Sequence, residues 1–354
     1  MIREAIEKLV NGNNLSYYEA CEIMKEIMSG EATPAQIASF LTALRMKGET
    51  IDEIIAFATV MRSFCYKILP NVNGRLIDTC GTGGDKIKTF NVSTTAAFII
   101  AGAGIFVAKH GNRSITSKCG SADVLKYLGL NLNVNPETVK KAIESIKIGF
   151  MFAPIFHPAM KYVINVRVEI GIRTVFNILG PLTNPAFVDA QLLGVYDANL
   201  VEKIAYVLKG LGLKEVMIVH GLDGLDEIST IGKTLIAWLK NEEIKTFEVK
   251  PEDLGVKKAT IESIIETSLE ESVETTFKIL YGCMKAGEPK RDLACVNAAA
   301  GMIIGGISDN FSYGLELANK SIESGAAYKK LKELIKFYEG SNPEKLEELE
   351  AKYG

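Results

Sequence analysis

Three stretches of the chain set glycines beside hydroxyl, amide or charged side chains, each directly after a short apolar run. The first reads DTCGTGGD at 78–85 and continues as TFNVST at 89–94. Three glycines in four positions let a backbone approach a ligand closely and turn several N–H groups onto it. Asn91, Ser93 and Thr94 then fall at the start of a predicted helix, where unpaired N–H groups and the helix dipole favour an anion. Two anion sites about seven residues apart suit a ligand with two phosphate ends; a tight turn followed by a capped helix is the plainer alternative. Neither the nucleotide loop G-x-x-x-x-G-K-[ST] nor the dinucleotide fingerprint G-x-G-x-x-G is present.

The second stretch is KHGNRS at 109–114, with SKCGS at 117–121 close behind. Cations, a glycine, an amide and hydroxyls follow a predicted strand at 105–108, which is where α/β sheets place their ligands; a solvated loop is the other reading. In the third, the predicted strand 216–219 runs into HGLDGLDE at 220–227, with Asp223, Asp226 and Glu227 crowded into five positions. Neighbouring carboxylates repel, and a hard cation keeps them ionised together; few protein ligands and remaining water positions favour magnesium shared with substrate phosphates. An acidic surface turn competes with that reading. A fourth stretch, FAPIFHPAMK at 152–161, leads to Arg167 and to RTVFNILGPLTNP at 173–185. Its aromatics, His157 and spaced arginines fit a planar acid, with Arg167 taking the carboxylate bidentately, although Phe152, Phe156 and Met160 are equally natural core residues. The only three histidines, His110, His157 and His220, fall one in each of three of these stretches, without a cysteine or carboxylate framework for zinc.

Elements that position these residues are legible around them. In the first 70 residues Ser16 precedes Glu19, Thr33 precedes Gln36 and Thr50 precedes Glu53, each a capping box, and Pro34 fits a first helical position. This predicts an all-helical unit over 1–70, joined by part of 160–190. From residue 75 to 354 the pattern is α/β: strands at 76–78, 105–108 and 216–219, a hairpin of 235–239 with 244–249, and helices from about 93, at 136–147, 161–172, 201–210, 268–286 (Ser268 and Glu271 form another capping box) and 296–307, with a charged helical tail from 328.

The 354 residues are enough for about two domains. With 47% hydrophobic and 23% charged residues the chain has globular proportions, and a net charge of -3 gives no positive field for nucleic acid or an anionic membrane. Six scattered cysteines without a C-x-x-C pair read as free thiols of a reducing compartment. The acidic start argues against a signal peptide, and the charge-free run 90–108 is broken by polar residues and glycines, so the expectation is a soluble, cytoplasmic protein.

In order and spacing, GTGGD at 81–85, TFNVST at 89–94, KHGNR at 109–113, APIFHPAMK at 153–161, RTVFNILGPLTNP at 173–185 and HGLDGLDE at 220–227 resemble the anthranilate phosphoribosyltransferase family across nearly the whole chain. The resemblance implies a small helical domain packed on a larger α/β domain with a central, mostly parallel sheet of the nucleoside phosphorylase and phosphoribosyltransferase type. It implies phosphoribosyl pyrophosphate (PRPP) and anthranilate as substrates, Mg2+ (two ions per site), and a homodimer joined through the helical domain. Carried over residue by residue, Gly81, Gly84 and Asp85 cradle pyrophosphate, while Thr89, Asn91, Val92, Ser93 and Thr94 hold further phosphate and ribose groups. Lys109, His110, Gly111, Asn112, Arg113, Ser114, Ser117 and Ser121 complete the PRPP site. Gly81, Asn112, His157, Arg167 and Gly180 meet anthranilate; Ser93, Asp226 and Glu227 hold metal. Departures from the family pattern fall at Lys86, Phe156 and Asn165. No general base is assigned, because an aromatic amine is neutral and nucleophilic at pH 7. A pyrimidine nucleoside phosphorylase of the same fold and a non-catalytic nucleic-acid-binding relative are the competing readings.

Overall fold

The computed structural model describes residues 1–84, 86–113 and 119–354. Four helices open the chain: α1 (Ile2–Val10), α2 (Tyr17–Met28), α3 (Pro34–Lys47) and α4 (Ile51–Ser63). The predicted capping boxes at Ser16, Thr33 and Thr50 are all formed, with Pro34 in the first turn of α3. Glu53 has a second task. Its fully buried carboxylate takes the Thr50 N–H at 2.7 Å, the Leu15 N–H at 2.8 Å and the Lys47 ammonium at 2.7 Å, so one side chain joins three segments of the helical unit.

The remainder is built on a seven-stranded sheet: β1 (Leu76–Gly81), β2 (Phe106–Gly111), β3 (Ile148–Phe152), β4 (Ala190–Gly194), β5 (Glu215–Gly221), β6 (Thr234–Lys240) and β7 (Glu243–Val249). The order is β3-β2-β1-β4-β5-β6-β7, parallel from β3 through β5 and antiparallel at the last two pairings. The order reverses direction at β1, and the register pairs Gly81 with Gly194 and Gly194 with Val219. The carboxyl ends of β1, β4 and β5 therefore lie side by side at a topological switch point, where open α/β sheets bind ligands. Asn241 and Glu242 both take positive φ (51° and 65°), the requirement of a two-residue hairpin turn, and they close the expected β6–β7 hairpin. β7 ends the sheet with a half-exposed, charged face.

Several boundaries differ from the sequence expectation for local reasons. Strand β2 runs on through Gly111, so Lys109 and His110 belong to the strand itself. Strands β3 and β4 lie outside the sequence expectation; both are short runs without polar alternation and nearly all buried. The stretch 161–172 is a 3-10 turn (Pro158–Tyr162) followed by a helix (Ile164–Ile170) that Gly171 closes at φ 66°. The helix after Ser268 stops at Tyr281 because Gly282 turns left-handed, and the next begins at Pro289 and ends at Ile304. A further helix, Phe311–Glu323, adds to the expected set, and the tail is two helices, Ala326–Phe337 and Glu344–Tyr353.

The 3-10 turn and the helices Ile164–Ile170 and Phe176–Leu182 pack against α2, α3 and α4 respectively. Arg62 of α4 donates to the Leu182 carbonyl at 2.9 Å, and Lys203 donates to the Glu49 carbonyl at 2.9 Å. Among the described residues no disulfide joins the cysteines, and no helix is long and apolar enough to cross a membrane.

Replacing Glu53 with Ala leaves a nearly buried Lys47 ammonium without its carboxylate and should cost about 3–5 kcal/mol. Chemical denaturation checks this, and a loss below about 1 kcal/mol would place the pair among ordinary surface contacts.

Candidate active site

A cleft of about 1150 Å3 opens over the carboxyl ends of the parallel strands. Its floor is set by the glycine-rich segment and by the acidic loop after β5, which touch one another. The Gly83 N–H donates to Asp226 Oδ2 at 2.8 Å. A Cβ on Gly81 would stand 2.5 Å from the same oxygen, and a Cβ on Gly194 would overlap the Asp226 carbonyl oxygen outright. Only hydrogen at those two paired positions lets the acidic loop lie across both strand ends. Asp226 and Glu227 are each nine-tenths buried and line the cleft. Asp223 does not join them. Its carboxylate accepts from Ser229 Oγ (2.6 Å) and the Leu225 N–H (3.2 Å) inside the turn, so the cluster of three acids in the sequence resolves into a pair in the cleft and one turn residue.

Beyond the glycines, the Lys86 N–H donates to the Gly224 carbonyl at 3.2 Å. Thr89 forms a one-residue antiparallel bridge with Ile265, and the Glu266 N–H donates to the Lys88 carbonyl at 2.9 Å. The segment 261–268 thereby becomes a wall of the cleft. Its sequence carries no signal of that role, which arises from a pairing across more than 170 residues. The helix Val92–Gly102 points its start at the cleft. Asn91 spends its side chain on Cys119 Sγ (3.1 Å) rather than on capping that helix; the Val92 N–H donates to the Phe90 carbonyl at 2.8 Å, and the Ser93 and Thr94 N–H groups are the ones open to a ligand. Thr94 is fully buried outside the lining, its hydroxyl without a hydrogen-bond partner among the described residues.

Lys109 reaches across from β2, donating to the Thr79 carbonyl (2.6 Å) and to Ser93 Oγ (3.3 Å). Burial pushes this ammonium down, opposed by the Asp78 carboxylate. Asp78 in turn is pushed up by burial, against Lys109, Asn184 Nδ2 at 2.8 Å and the His110 N–H at 3.3 Å. The cation is thus fixed in place by the strand ends before any ligand arrives.

The other half of the cleft is less polar. His110 and His157 lie with ring centroids 5.0 Å apart, both buried, each with an Nε2 that has no hydrogen-bond partner among the described residues. Burial pushes His157 down to about 4 and His110 well below its ordinary value, the latter helped by His157. Both rings are neutral at pH 7. Arg167, on the helix Ile164–Ile170, sits 5.6 Å over the Phe176 ring, and burial lowers its guanidinium's pKa from the usual arginine value. Gly180 exposes its Cα to open space. A Cβ on Gly111 would crowd Ser121 Oγ and the Phe150 ring; Ser121 Oγ donates to the Asn112 carbonyl at 3.4 Å, and Arg113 stands 6.0 Å over the Phe152 ring.

Of the residues that the sequence assigns to PRPP, the cleft brings together Gly81, Gly84, Thr89, Asn91, Val92 and Ser93, with Lys109, His110, Gly111, Asn112, Arg113 and Ser121. His157, Arg167, Gly180, Asp226 and Glu227 line it as well. Asp85, Ser114 and Ser117 lie outside the described residues. His220 is elsewhere, its Nδ1 2.7 Å from the Val195 carbonyl oxygen. Among the described residues no three His, Cys, Asp or Glu side chains converge on one point. Two adjacent carboxylates without a cage are the donor set of a hard, oxygen-seeking cation completed by water and substrate oxygens, and they fit magnesium.

The fold and this cleft define a two-part glycosyl transferase. Residues 3–65 match the family described as the glycosyl transferase helical bundle domain, and residues 73–328 match the glycosyl transferase a/b domain. An anthranilate phosphoribosyltransferase of Acetivibrio thermocellus is 49% identical over 95% of this chain and 96% of its own length. The crystal structure of the same enzyme from Thermus thermophilus superposes with a TM-score of 0.88 at 39% identity, covering 94% of this chain and 99% of that one. That from Saccharomyces cerevisiae, in complex with PRPP and Mg, gives 0.87 at 30% identity over 95% and 97%. The chain belongs to the anthranilate phosphoribosyltransferase family.

Two outcomes follow from the geometry. Gly194→Ala should displace the acidic loop and lower turnover about 100-fold or more with the fold retained by circular dichroism; a turnover near wild type would mean the loop tolerates the shift. A histidine held below its unfolded value near 6.5 binds fewer protons folded than unfolded between those two values, so stability is full above about pH 6.5 and falls as the pH drops toward 4. His157→Gln should therefore flatten the stability profile between pH 5 and 6.5 by about 1.4 kcal/mol per pH unit at most, measured by urea denaturation at each pH.

Proposed function

We propose that this chain transfers the phosphoribosyl group of PRPP to the amine of anthranilate, giving N-(5-phosphoribosyl)anthranilate and pyrophosphate, as a step of tryptophan biosynthesis. One observation carries the reading: backbone N–H groups of the glycine segment and a pair of carboxylates share one hydrogen-bonded floor, opposite a wall whose titratable rings are neutral.

In the reaction the bond from ribose C1 to the pyrophosphate oxygen breaks, the anthranilate nitrogen bonds to C1, and its surplus proton leaves to solvent or product. Negative charge develops on the departing pyrophosphate. Gly81 and Gly84, with Asp85, cradle it, and the ribose and 5-phosphate are held by Thr89, Asn91, Val92 and Ser93 with Lys109, the following residues through Ser114, Ser117 and Ser121. Asp226 and Glu227, with Ser93, hold magnesium, two ions per site, which when bound supplies positive charge to that leaving group. Arg167 takes the anthranilate carboxylate in a partly buried setting, where the ion pair is strong, with Asn112, His157, Gly81 and Gly180 around the ring. Neutral His110 and His157 place no charged ring beside the amine. The half-enclosed cleft limits water, the competing nucleophile at C1. The helical unit, completed by the segment 160–190, is read as the contact surface of a homodimer, and the chain as a cytoplasmic protein.

The direct test mixes purified protein, magnesium, PRPP and anthranilate and follows the loss of anthranilate fluorescence. No loss, with phosphate-dependent nucleoside cleavage instead, would favour the nucleoside phosphorylase reading. Asp226→Asn with Glu227→Gln should lower turnover about 100-fold or more at ordinary magnesium. Arg167→Ala should raise the anthranilate KM about tenfold or more while the PRPP KM stays near wild type; equal movement of both constants would remove Arg167 from the acceptor site.

A further inference from the structure

Arg173 lies in the link 171–175 between the helix that carries Arg167 and the helix that carries Gly180. It is absent from the lining of the cleft, yet it grips a residue that is present. Its Nη2 donates to the Gly84 carbonyl at 2.6 Å, and its guanidinium lies 4.2 Å from the centroid of the Tyr196 ring. Tyr196 follows β4, and its own N–H donates to Thr82 Oγ1 at 3.1 Å. Both ends of the glycine segment are therefore tied to one residue: Thr82 directly, Gly84 through Arg173. Between them Gly83 and Gly84 hold φ of 66° and 81°. Glycine crosses that region freely in either direction, so the sequence alone leaves the two peptide planes free to turn carbonyl oxygens toward an anion. The fit is close as well, because a Cβ on Gly84 would stand 2.6 Å from Arg173 Nη2. Among the described residues no carboxylate stands within ion-pairing distance of Arg173, while Glu49 and Asp197 act on the Tyr196 ring on which it stacks.

Resting on the reading of this cleft as a PRPP site, we infer that Arg173 is a positioning residue for the transfer. It holds the Gly84 carbonyl turned away from the pyrophosphate while the Gly83 N–H stays on Asp226, leaves the Gly84 N–H for the anion, adds a positive charge behind the segment, and ties that donor site to the helices bearing the acceptor contacts. The guanidinium suits this because its planar fork donates to the carbonyl while its face stacks on tyrosine. It touches no substrate atom; its effect passes through Gly84.

The test compares wild type with Arg173→Met, which keeps a long apolar stem over Tyr196 and loses the donor and the charge. Two readouts are taken: the separate KM values for PRPP and anthranilate, and calorimetric binding of magnesium pyrophosphate without acceptor. The expected result is a PRPP KM and a pyrophosphate Kd raised about tenfold or more, with the anthranilate KM at saturating PRPP within about twofold and an unchanged thermal midpoint. Arg173→Lys, which keeps the charge and a donor but not the planar face over Tyr196, should recover only part of the loss. Pyrophosphate binding equal to wild type, or both KM values moving alike, overturns the inference. If Arg173→Met does not fold, Tyr196→Leu against Tyr196→Phe decides: the ring-retaining variant should match wild type and the other should weaken pyrophosphate, and two variants that both match wild type overturn it. Weakened pyrophosphate binding in a protein that never consumes anthranilate would leave this inference standing and sink the proposed function instead.

Discussion

The structure turns on a main-chain contact: the loop carrying Asp226 and Glu227 lies directly on the ends of β1 and β4, at Gly81 and Gly194. Register puts those two glycines opposite each other, and the overlap that any Cβ on Gly194 would make with the Asp226 carbonyl leaves no alternative packing. The loop is thus located by backbone against backbone, the least deformable kind of contact in a protein interior. From this seat the Asp226 carboxylate receives the Gly83 N–H. Groups that attract an anion and groups that attract a cation end up on a shared surface, as a magnesium-bearing diphosphate demands.

Charge is then divided sharply across the cleft. On the donor side Lys109 is held by Thr79, Ser93 and Asp78, so its positive charge needs little rearrangement when a phosphate enters. On the acceptor side burial strips the two histidines of their protons. That half offers the Arg167 guanidinium, neutral rings and the aromatic face of Phe176, a setting suited to a carboxylate and not to a protonated amine.

Much of this is written locally. Each helix of the N-terminal unit after the first announces its start by a hydroxyl and an acid or amide three residues apart, and these boxes form as read. The glycine and acid clusters mark the cleft because they break the apolar pattern just where strands end. What escapes the sequence depends on distant partners. Strands β3 and β4 are too short and too uniformly buried to show a period. Asp223 and Asp226 look alike in sequence, and only the turn at Gly224, with φ of 106°, sends one inward to Ser229 and the other to the cleft. Thr94 sits one position beyond Ser93, and helical rotation carries it beneath the lining. The wall at 261–268 has no chemical signature at all, since it is recruited by the bridge from Thr89 to Ile265.

The last strand has a further consequence. A sheet that ends in an uncovered strand offers unpaired amides to any other chain. Here β7 carries Glu243, Lys245 and Glu248 along its outward positions, with Lys245 and Glu243 largely in solvent and Lys233 paired to Glu248. A second molecule laying its own strand there would have to strip water from those charges for little apolar gain. The border of the sheet thus acts as a gatekeeper against amyloid-like stacking.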